Sequence, residues 1–173
     1  MQDRPVPLPD ALERPPEARA LVRGSAAYPQ LLGEVLFYPF LNGSLLLIRM
    51  TGLPGSGFFG LHIHQTGDCC TGGDMAFSCA GGHWNPTGVP HPDHTGDLPV
   101  LLADHGLAYA MVYTGRFTPA EAVGRSVIIH DRPDDYRSQP AGDSGERIAC
   151  GVIEGNASVG AAYENPQSSP YGR

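Results

Sequence analysis

Glycine and proline interrupt this sequence too often for a fold built from long helices. They account for 23 and 17 of the 173 residues and follow no collagen-like period. Proline lacks a backbone donor that a helix interior needs, and both residue types are typical of turns. The pattern therefore favours an all-β fold of short strands joined by turns and long loops over a helical bundle.

Short apolar runs lie between these interruptions and are the candidate strands. They cover residues 18–23, 31–38, 44–50, 58–64, 100–103, 107–113, 125–130 and 148–153. Asn42-Gly43 separates two of the runs and predicts a hairpin. Thr118, Pro119 and Glu121 match an N-cap, a first helical position and a capping box, so they predict a helix of about one or two turns.

The runs define one domain at residues 18–154, because 173 residues suffice for a single buried core. Residues 1–17, with five prolines among charged residues, and residues 155–173 predict flexible tails. Two irregular segments, 65–99 and 131–147, remain within the domain. Loops of this length in a compact domain are usually functional or disordered, and the candidate ligands below favour function.

The net charge of −7 argues against nucleic acid and anionic membranes as partners, since both attract clustered cations. No stretch approaches the 18 apolar residues of a membrane span. The N-terminal residues contain no apolar signal segment, which fits a cytosolic start or a mature form. The four cysteines are an even number and permit disulfide bonds.

Histidines are concentrated in one part of the chain, with five of the seven between residues 62 and 94. His62 and His64 are separated by one residue within a strand pattern, so both rings project from one face while Ile63 points into the core. Two rings so placed can hold one metal ion. Two polar residues on a solvent face would produce the same local pattern, so the pair alone does not establish a metal site.

Further ligands follow in the first irregular segment. His83, His91, His94 and Asp97 place three imidazoles and a carboxylate within fifteen residues, a set suited to a closed tetrahedral zinc site. All-imidazole ligation at a second centre suits copper, which binds nitrogen ligands more tightly than its neighbours in the series. The histidines therefore predict a centre with two metals.

These residues belong to an ordered series of motifs. The series is His62-x-His64, Gly81-Gly82-His83-x-Asn85-Pro86, Gly96-Asp97-Leu98-Pro99, Val127-Ile128-Ile129-His130 and Gly145-Glu146-Arg147-Ile148-Ala149-Cys150-Gly151-Val152. It resembles the signature of the copper/zinc superoxide dismutase family, in its bacterial form, over roughly residues 30–154. The resemblance implies an eight-stranded Greek-key β-barrel or sandwich with two long functional loops and at most one short helix.

The resemblance implies an enzyme that converts superoxide into oxygen and hydrogen peroxide by redox cycling of one copper, next to one zinc per chain. The implied copper ligands are His62, His64, His83 and His130. The implied zinc ligands are His83, His91, His94 and Asp97, so that His83 bridges the two ions and takes part in catalysis. In one respect the sequence departs from the family: His91 and His94 are closer in sequence than is usual there.

Two further roles come from the resemblance. Arg147 matches the arginine that attracts and binds superoxide beside copper. Apart from the resemblance, Arg132 and Arg137 could add steering, but a plain surface charge is the preferred interpretation of each. Asp134 has the spacing of a carboxylate that accepts hydrogen bonds from a copper ligand and a zinc ligand, expected to be His62 and His91, with Asp135 as the competitor. His105 fits a hairpin turn and is left out of the site.

Cys150 matches the family's strand cysteine, whose partner lies in the loop after His62-x-His64. Cys69 has the bacterial spacing of this partner, and Cys70 is the alternative. Cys79 could form a second disulfide with whichever of the two does not pair with Cys150. Cys69 and Cys70 are adjacent, and pairing them with each other would be strained. Four free thiols are the remaining alternative.

Two other functions compete with the dismutase. The first is a dismutase-like domain that binds or delivers copper without turnover, and the second is a zinc hydrolase. The hydrolase is disfavoured because the sequence has no general-base glutamate beside a histidine pair. Superoxide is the expected small-molecule partner, and the family also uses homodimers. The family's bacterial members and the cysteines favour the periplasm or the cell exterior, with the cytoplasm as the alternative.

Overall fold

The computed structural model describes residues 12–71 and 75–155, and the apolar runs of the sequence form its strands. The strands are β1 Ala18–Gly24, β2 Leu32–Phe40, β3 Gly43–Thr51, β4 Gly57–Phe59, β5 Leu61–His64, β6 Leu101–Ala103, β7 Ala108–Thr114, β8 Ser126–His130 and β9 Arg147–Gly155. The predicted tails at 1–17 and 155–173 lie mostly outside the described residues and stay predictions.

Seven strands form one antiparallel sheet in the order β5-β8-β9-β1-β2-β3-β7, and β4 pairs with β6. Strands β1, β2 and β3 are consecutive neighbours, but β3 pairs next with β7 and β5 pairs with β8, and these crossovers are Greek-key topology. Strand β6 continues into β7 through a tight turn closed by the bridge between Asp104 and Leu107. The pairing therefore runs round a curled antiparallel sheet, and the predicted all-β class is confirmed.

The predicted run at 58–64 forms two strands, because the chain breaks at Gly60. The Gly60 N–H donates to the Arg132 carbonyl at 2.8 Å, and the Gly60 carbonyl accepts from the His130 N–H at 2.9 Å. Gly60 thus leaves the ladder of β4 and joins the segment that follows β8. This break explains why eight apolar runs of the sequence become nine strands.

The hairpin between β2 and β3 is present, but its turn is one residue earlier than Asn42-Gly43. Phe40 pairs with Gly43, so Leu41 and Asn42 form the turn, and Leu41 takes the left-handed φ of 52°. Gly43 is the first residue of β3, where a Cβ would lie 2.1 Å from the Thr114 carbonyl oxygen. Glycine is required here for close packing of β3 against the end of β7.

The predicted helix is one turn, Pro119–Ala122, with the capping box between Thr118 and Glu121. It ends before Gly124, whose φ is +82°. No helix of the described residues has the length and apolar character needed to cross a membrane.

One apolar core takes side chains from all nine strands. Its members include Ala20, Phe37, Ile48, Phe59, Ile63, Leu101, Ala108, Ile129 and Ile153. The long connections 65–100 and 131–146 follow β5 and β8, and the first contributes Trp84 and Leu98 to this core. Because β5 and β8 are adjacent in the sheet, both connections begin at neighbouring strands, and the histidines of the sequence motifs lie between them.

Candidate metal centre

Strand β5 supplies the first two histidines of the site. Ile63 is fully buried in the apolar core, and His62 and His64 lie on the opposite face, with exposures of only 0% and 1%. The first long connection pairs with the free edge of β5: the Ile63 carbonyl accepts from the Trp84 N–H at 2.8 Å, and the Ile63 N–H donates to the Gly96 carbonyl at 2.8 Å. A Cβ at Gly96 would lie 2.2 Å from the Ile63 oxygen, so glycine permits this approach.

Four histidines form a first cluster in which one ring nitrogen from each lies within 4.8 Å of the others. The members are His62, His64, His83 and His130, all buried. Each has one buried ring nitrogen with no hydrogen-bond partner: Nδ1 of His62 and Nε2 of the other three. Buried polar atoms are normally paired, so four unpaired nitrogens that converge are the arrangement expected for ligands of one metal ion.

The second nitrogen of each ring is held by the protein. His62 Nε2 lies 2.7 Å from Asp134 Oδ2, and His64 Nδ1 lies 2.9 Å from the Gly81 carbonyl oxygen. His130 Nδ1 makes a longer contact of 3.4 Å with the Gly145 carbonyl oxygen. An N–H that donates on one side of the ring leaves the lone pair on the other side for a metal, so these contacts set the tautomer of each ligand.

A second cluster shares His83 with the first. His83, His91, His94 and Asp97 are all buried, and each offers one ligand atom within 4.8 Å of the others. Asp97 Oδ1 lies 2.7 Å from His83 Nδ1, while Asp97 Oδ2 lies 3.0 Å and 3.3 Å from Nδ1 of His91 and His94. The short spacing of His91 and His94 therefore does not keep their rings apart.

The Nδ1 atoms of His91 and His94 have no hydrogen-bond partner despite these short distances to Asp97. These nitrogens lie close to the Asp97 carboxylate but do not point at it. Their lone pairs and the carboxylate oxygens therefore point at a common position between them. Three imidazole nitrogens and one carboxylate oxygen are a donor set that fits zinc. The residues present thus fit both metals that the sequence motifs imply.

Asp134 connects the two clusters. Its Oδ2 accepts from His62, and its Oδ1 lies 2.9 Å from His91 Nε2 and 2.7 Å from the Tyr136 backbone nitrogen. Burial acts to raise the pKa of Asp134, but the hydrogen bonds from His62, Tyr136 and His91 outweigh it and lower that pKa. Asp134 is therefore ionised and orients one ligand of each cluster. Asp135 is exposed and accepts from the Ser138 hydroxyl at 2.6 Å instead.

Burial keeps three histidines of the first cluster, His62, His64 and His130, neutral. Loss of hydration lowers the pKa of His62 to about 4 and that of His130 to about 3, with repulsion from the neighbouring histidines as a further cause. The same causes lower the pKa of His64 well below its usual value. The candidate ligand nitrogens of these three rings are therefore unprotonated near neutral pH and able to bind a metal.

A cavity of about 710 Å³ lies over the first cluster and is lined by His64, His83, His130 and Arg147. The Arg147 guanidinium donates to the carbonyl oxygens of Phe77 and Gly81, both at 2.6 Å. Gly81 also accepts from His64, so one carbonyl fixes the arginine relative to a ligand. These two bonds use two of the five guanidinium N–H donors, which leaves others for a small anion in the cavity.

The other charged candidates have exposed side chains. Arg132 is 55% exposed and forms an ion pair with Asp143, and Arg137 is exposed. His105 is 89% exposed beside Asp104, in the turn between β6 and β7. The structure thus places none of these three side chains among the metal-ligand candidates.

All four cysteines form disulfides, and none is free. Cys69 pairs with Cys150, and Cys70 pairs with Cys79. The first bridge ties the connection after β5 to strand β9. The second closes a short loop in which Phe77, whose N–H donates to the Cys70 carbonyl at 3.1 Å, supplies one of the two carbonyls that hold Arg147.

The sequence motifs did not indicate Arg116, which follows β7 and contacts the loop of the second cluster. Its Nη1 donates to the carbonyl oxygens of Pro92 and His94 at 3.0 Å and 2.8 Å. Arg116 is about twenty residues from this loop in sequence, and no local pattern marks such a contact.

Comparison with protein families gives a match to one description, "Copper/zinc superoxide dismutase (SODC)", over residues 32–153. Among curated proteins, superoxide dismutase [Cu-Zn] 2 of Aquifex aeolicus is 34% identical over 139 residues, covering 72% of this chain and 80% of that protein. Superoxide dismutase [Cu-Zn] of Caulobacter vibrioides is 36% identical over 130 residues, covering 65% of this chain and 72% of that protein.

Solved structures give the same similarity. The Cu/Zn superoxide dismutase from Brucella abortus has a TM-score of 0.71 and 30% identity, covering 80% of this chain and all of that chain. A point mutant of a SOD-like protein from Bacillus subtilis has a TM-score of 0.68 and 26% identity, covering 79% of this chain and 97% of that chain.

Proposed function

The chain belongs to the copper/zinc superoxide dismutase family, and on that basis we propose that it is an enzyme that disproportionates superoxide. Two superoxide anions and two protons give one molecule of oxygen and one of hydrogen peroxide. The observation that carries the proposal is the set of six buried, unpartnered histidine nitrogens, divided between two clusters that share His83.

The first cluster, His62, His64, His83 and His130, is assigned to copper, and the second, His83, His91, His94 and Asp97, is assigned to zinc. Four imidazoles suit copper, and three imidazoles with one carboxylate suit zinc. Copper bound in the first cluster supplies one-electron chemistry in both directions, so that one superoxide is oxidised and the next is reduced. Zinc fixes the geometry of the residue that the two clusters share.

Arg147 binds the substrate. Its guanidinium lines the same cavity as three histidines of the copper cluster and retains free N–H donors. Superoxide is a small anion and the protein has a net charge of −7, so a local positive charge is needed to attract it. The planar guanidinium can both attract the anion and donate a hydrogen bond to it.

His83 holds and moves a proton. Its Nδ1 contacts Asp97 on the zinc side, and its Nε2 faces the copper cluster without a partner. Nε2 is therefore the atom that can take up a proton and deliver it to the reduced product. Asp134 meanwhile keeps His62 in the tautomer whose Nδ1 faces the copper cluster.

The alternative is a related domain that binds or delivers copper without turnover. Such a domain needs the histidines but has no need of a cationic donor in the cavity above them. The position of Arg147 beside His64, His83 and His130 therefore favours turnover over storage or delivery.

The two disulfides favour an oxidising compartment, and we place the protein in the periplasm or outside the cell. Formation of a homodimer stays a prediction from the family.

The test replaces His130 by alanine and, as a matched control, His105 by alanine in the copper- and zinc-loaded protein. We expect the His130 variant to lose superoxide turnover and copper, because one of four copper ligands is gone. The exposed His105 should be dispensable. Equal losses in both variants, or full turnover in the His130 variant, would refute the assignment.

A further inference from the structure

We propose that Arg116 is a positioning residue for the zinc site and holds the loop 91–97 in its metal-binding conformation. The inference rests on the proposed function, since the ion concerned is the one assigned to the second cluster. It extends that function to a residue outside both ligand sets.

The contacts of Arg116 converge on this one loop. Its Nη1 lies 3.0 Å from the Pro92 carbonyl oxygen, 2.8 Å from that of His94 and 3.3 Å from that of Asp97. His94 and Asp97 are themselves candidate zinc ligands, and Pro92 follows His91. One cationic nitrogen therefore joins the backbone at or beside three of the four zinc ligands. Hydrogen bonds from a charged donor are stronger than those between neutral groups.

Other hydrogen bonds hold the two ends of the loop: His91 exchanges bonds of 3.0 Å and 2.7 Å with the Gln139 side chain, and the Gly96 carbonyl accepts from the Ile63 N–H at 2.8 Å. Arg116 is the side chain that donates to the Pro92 and His94 carbonyls between these ends. Residues 91–97 contain no helix or strand. Within the loop the His94 N–H donates to Asp97 Oδ2 at 3.0 Å, and the Asp97 N–H donates to the His94 carbonyl at 3.2 Å. Three carbonyl dipoles that point at one place repel each other unless a cation lies between them. Arg116 supplies that cation, and its loss would let the His94 and Asp97 backbone move with the ligand atoms that it carries.

Arg116 is itself fixed by its neighbours in the sequence. Its backbone N–H donates to Thr114 Oγ1 at 3.2 Å, at the end of β7. The next residue, Phe117, is 2% exposed, and its carbonyl accepts from the Ser44 hydroxyl at 2.9 Å. The Phe117 ring also packs 5.4 Å from Trp84, the neighbour of His83. The guanidinium thus reaches the loop from a rigid part of the barrel.

The ion pair of Arg116 with Asp93 does not explain this arrangement. Arg116 Nη2 lies 3.9 Å from Asp93 Oδ1, and the two side chains are 41% and 76% exposed. Exposed pairs of this kind contribute little, so the role of Arg116 depends on the carbonyl contacts. Removal of the Asp93 charge should therefore leave zinc binding unchanged.

The experiment measures zinc affinity in the copper-loaded protein by competition with a chromophoric chelator. The variants are Arg116→Gln, Arg116→Lys, Asp93→Asn and Arg49→Gln. Arg49 is the matched control, because it is a half-exposed arginine paired with Glu34 on the barrel, away from the metal ligands. We expect Arg116→Gln to weaken zinc binding by about 10- to 100-fold, the usual cost of losing a partner of metal ligands. Asp93→Asn and Arg49→Gln should match the wild type.

Cobalt absorption gives a second readout. Co²⁺ bound in place of zinc reports the ligand geometry through its visible spectrum, and we expect a changed spectrum in Arg116→Gln. Arg116→Lys keeps the charge but not the planar fork, so it should fold and show an intermediate loss. Thermal unfolding of each metal-free variant separates loop positioning from general destabilisation.

Wild-type zinc affinity and an unchanged cobalt spectrum in both Arg116 variants would overturn the inference, as would an equal loss in Arg49→Gln. A wild-type protein that binds no zinc would instead contradict the proposed function. The two failures are therefore distinguishable.

Discussion

His62 and Asp134 form a hydrogen bond that is completely shielded from water: Nε2 lies 2.7 Å from Oδ2, and both side chains are 0% exposed. Because the other carboxylate oxygen accepts from His91, this one carboxylate connects a proposed copper ligand to a proposed zinc ligand. The orientation of both metal sites therefore depends on a residue that is expected to bind neither metal.

We predict that Asp134→Asn weakens binding of both metals by about 10- to 100-fold. An amide has one acceptor oxygen, so its NH₂ group would face the N–H of either His62 or His91. Competition titrations with copper and zinc provide the measurement. Asp143→Asn is the control, since Asp143 is exposed in the same connection and asparagine tolerates its positive φ of 47°. A loss confined to one metal would contradict a shared role.

Arg147→Gln should lower kcat/KM for superoxide by about 10-fold or more, because the local field that attracts the anion is lost. Copper and zinc content should stay the same, since the Arg147 guanidinium donates to the backbone carbonyls of Phe77 and Gly81 and is not itself a ligand candidate. The superoxide turnover rate of Arg147→Gln should also respond less to added salt than that of the wild type. Arg132→Gln removes an exposed charge of the same sign. If both variants lost activity equally, Arg147 would have no special role.

The two disulfides should contribute unequally to stability. Cys69–Cys150 spans 81 residues and Cys70–Cys79 spans 9. In the chain-entropy treatment, closing these loops stabilises the fold by about 4.5 and about 2.7 kcal/mol. We therefore expect the double alanine variant of the first pair to lose more free energy of unfolding, measured in denaturant on the metal-free protein. A larger loss from the second pair would contradict this order.

The metal-free protein should lose stability as the pH falls from about 6.5 to about 4. In the folded state the pKa of His62 is lowered from 6.5 to about 4 and that of His130 to about 3, so in this range the unfolded chain binds more protons. Stability from these groups is complete above the unfolded pKa and is lost as the pH approaches the folded values. Urea midpoints across this range provide the test, and a flat profile above pH 4 would contradict it.

Strand positions could be predicted well from the sequence because alternation and turn residues are local properties. The run 58–64 is instructive: its apolar pattern is continuous, yet the chain breaks at Gly60 because that residue bonds to Arg132 and His130. The turn at Leu41 is shifted by one residue for a similar reason, since Gly43 is needed where β3 meets Thr114. Both differences arise from distant segments of the chain.

In the site, too, some residues could be predicted from local sequence patterns and others could not. His62 and His64 could be paired from strand geometry alone, and the order of the motifs placed His83 and His130 with them. The pairing of Cys69 and Cys70 with their partners could not be decided from spacing, because either choice satisfies the sequence. Arg116 carried no local signal, since its contacts depend on how the segment after β7 folds against the loop 91–97.

The most direct measurement of the central claim is a crystal structure of the metal-replete protein with anomalous data at the copper and zinc edges. We predict copper at His62, His64, His83 and His130, and zinc at His83, His91, His94 and Asp97, with His83 between the two ions. A single ion, or two ions that do not share His83, would contradict this prediction.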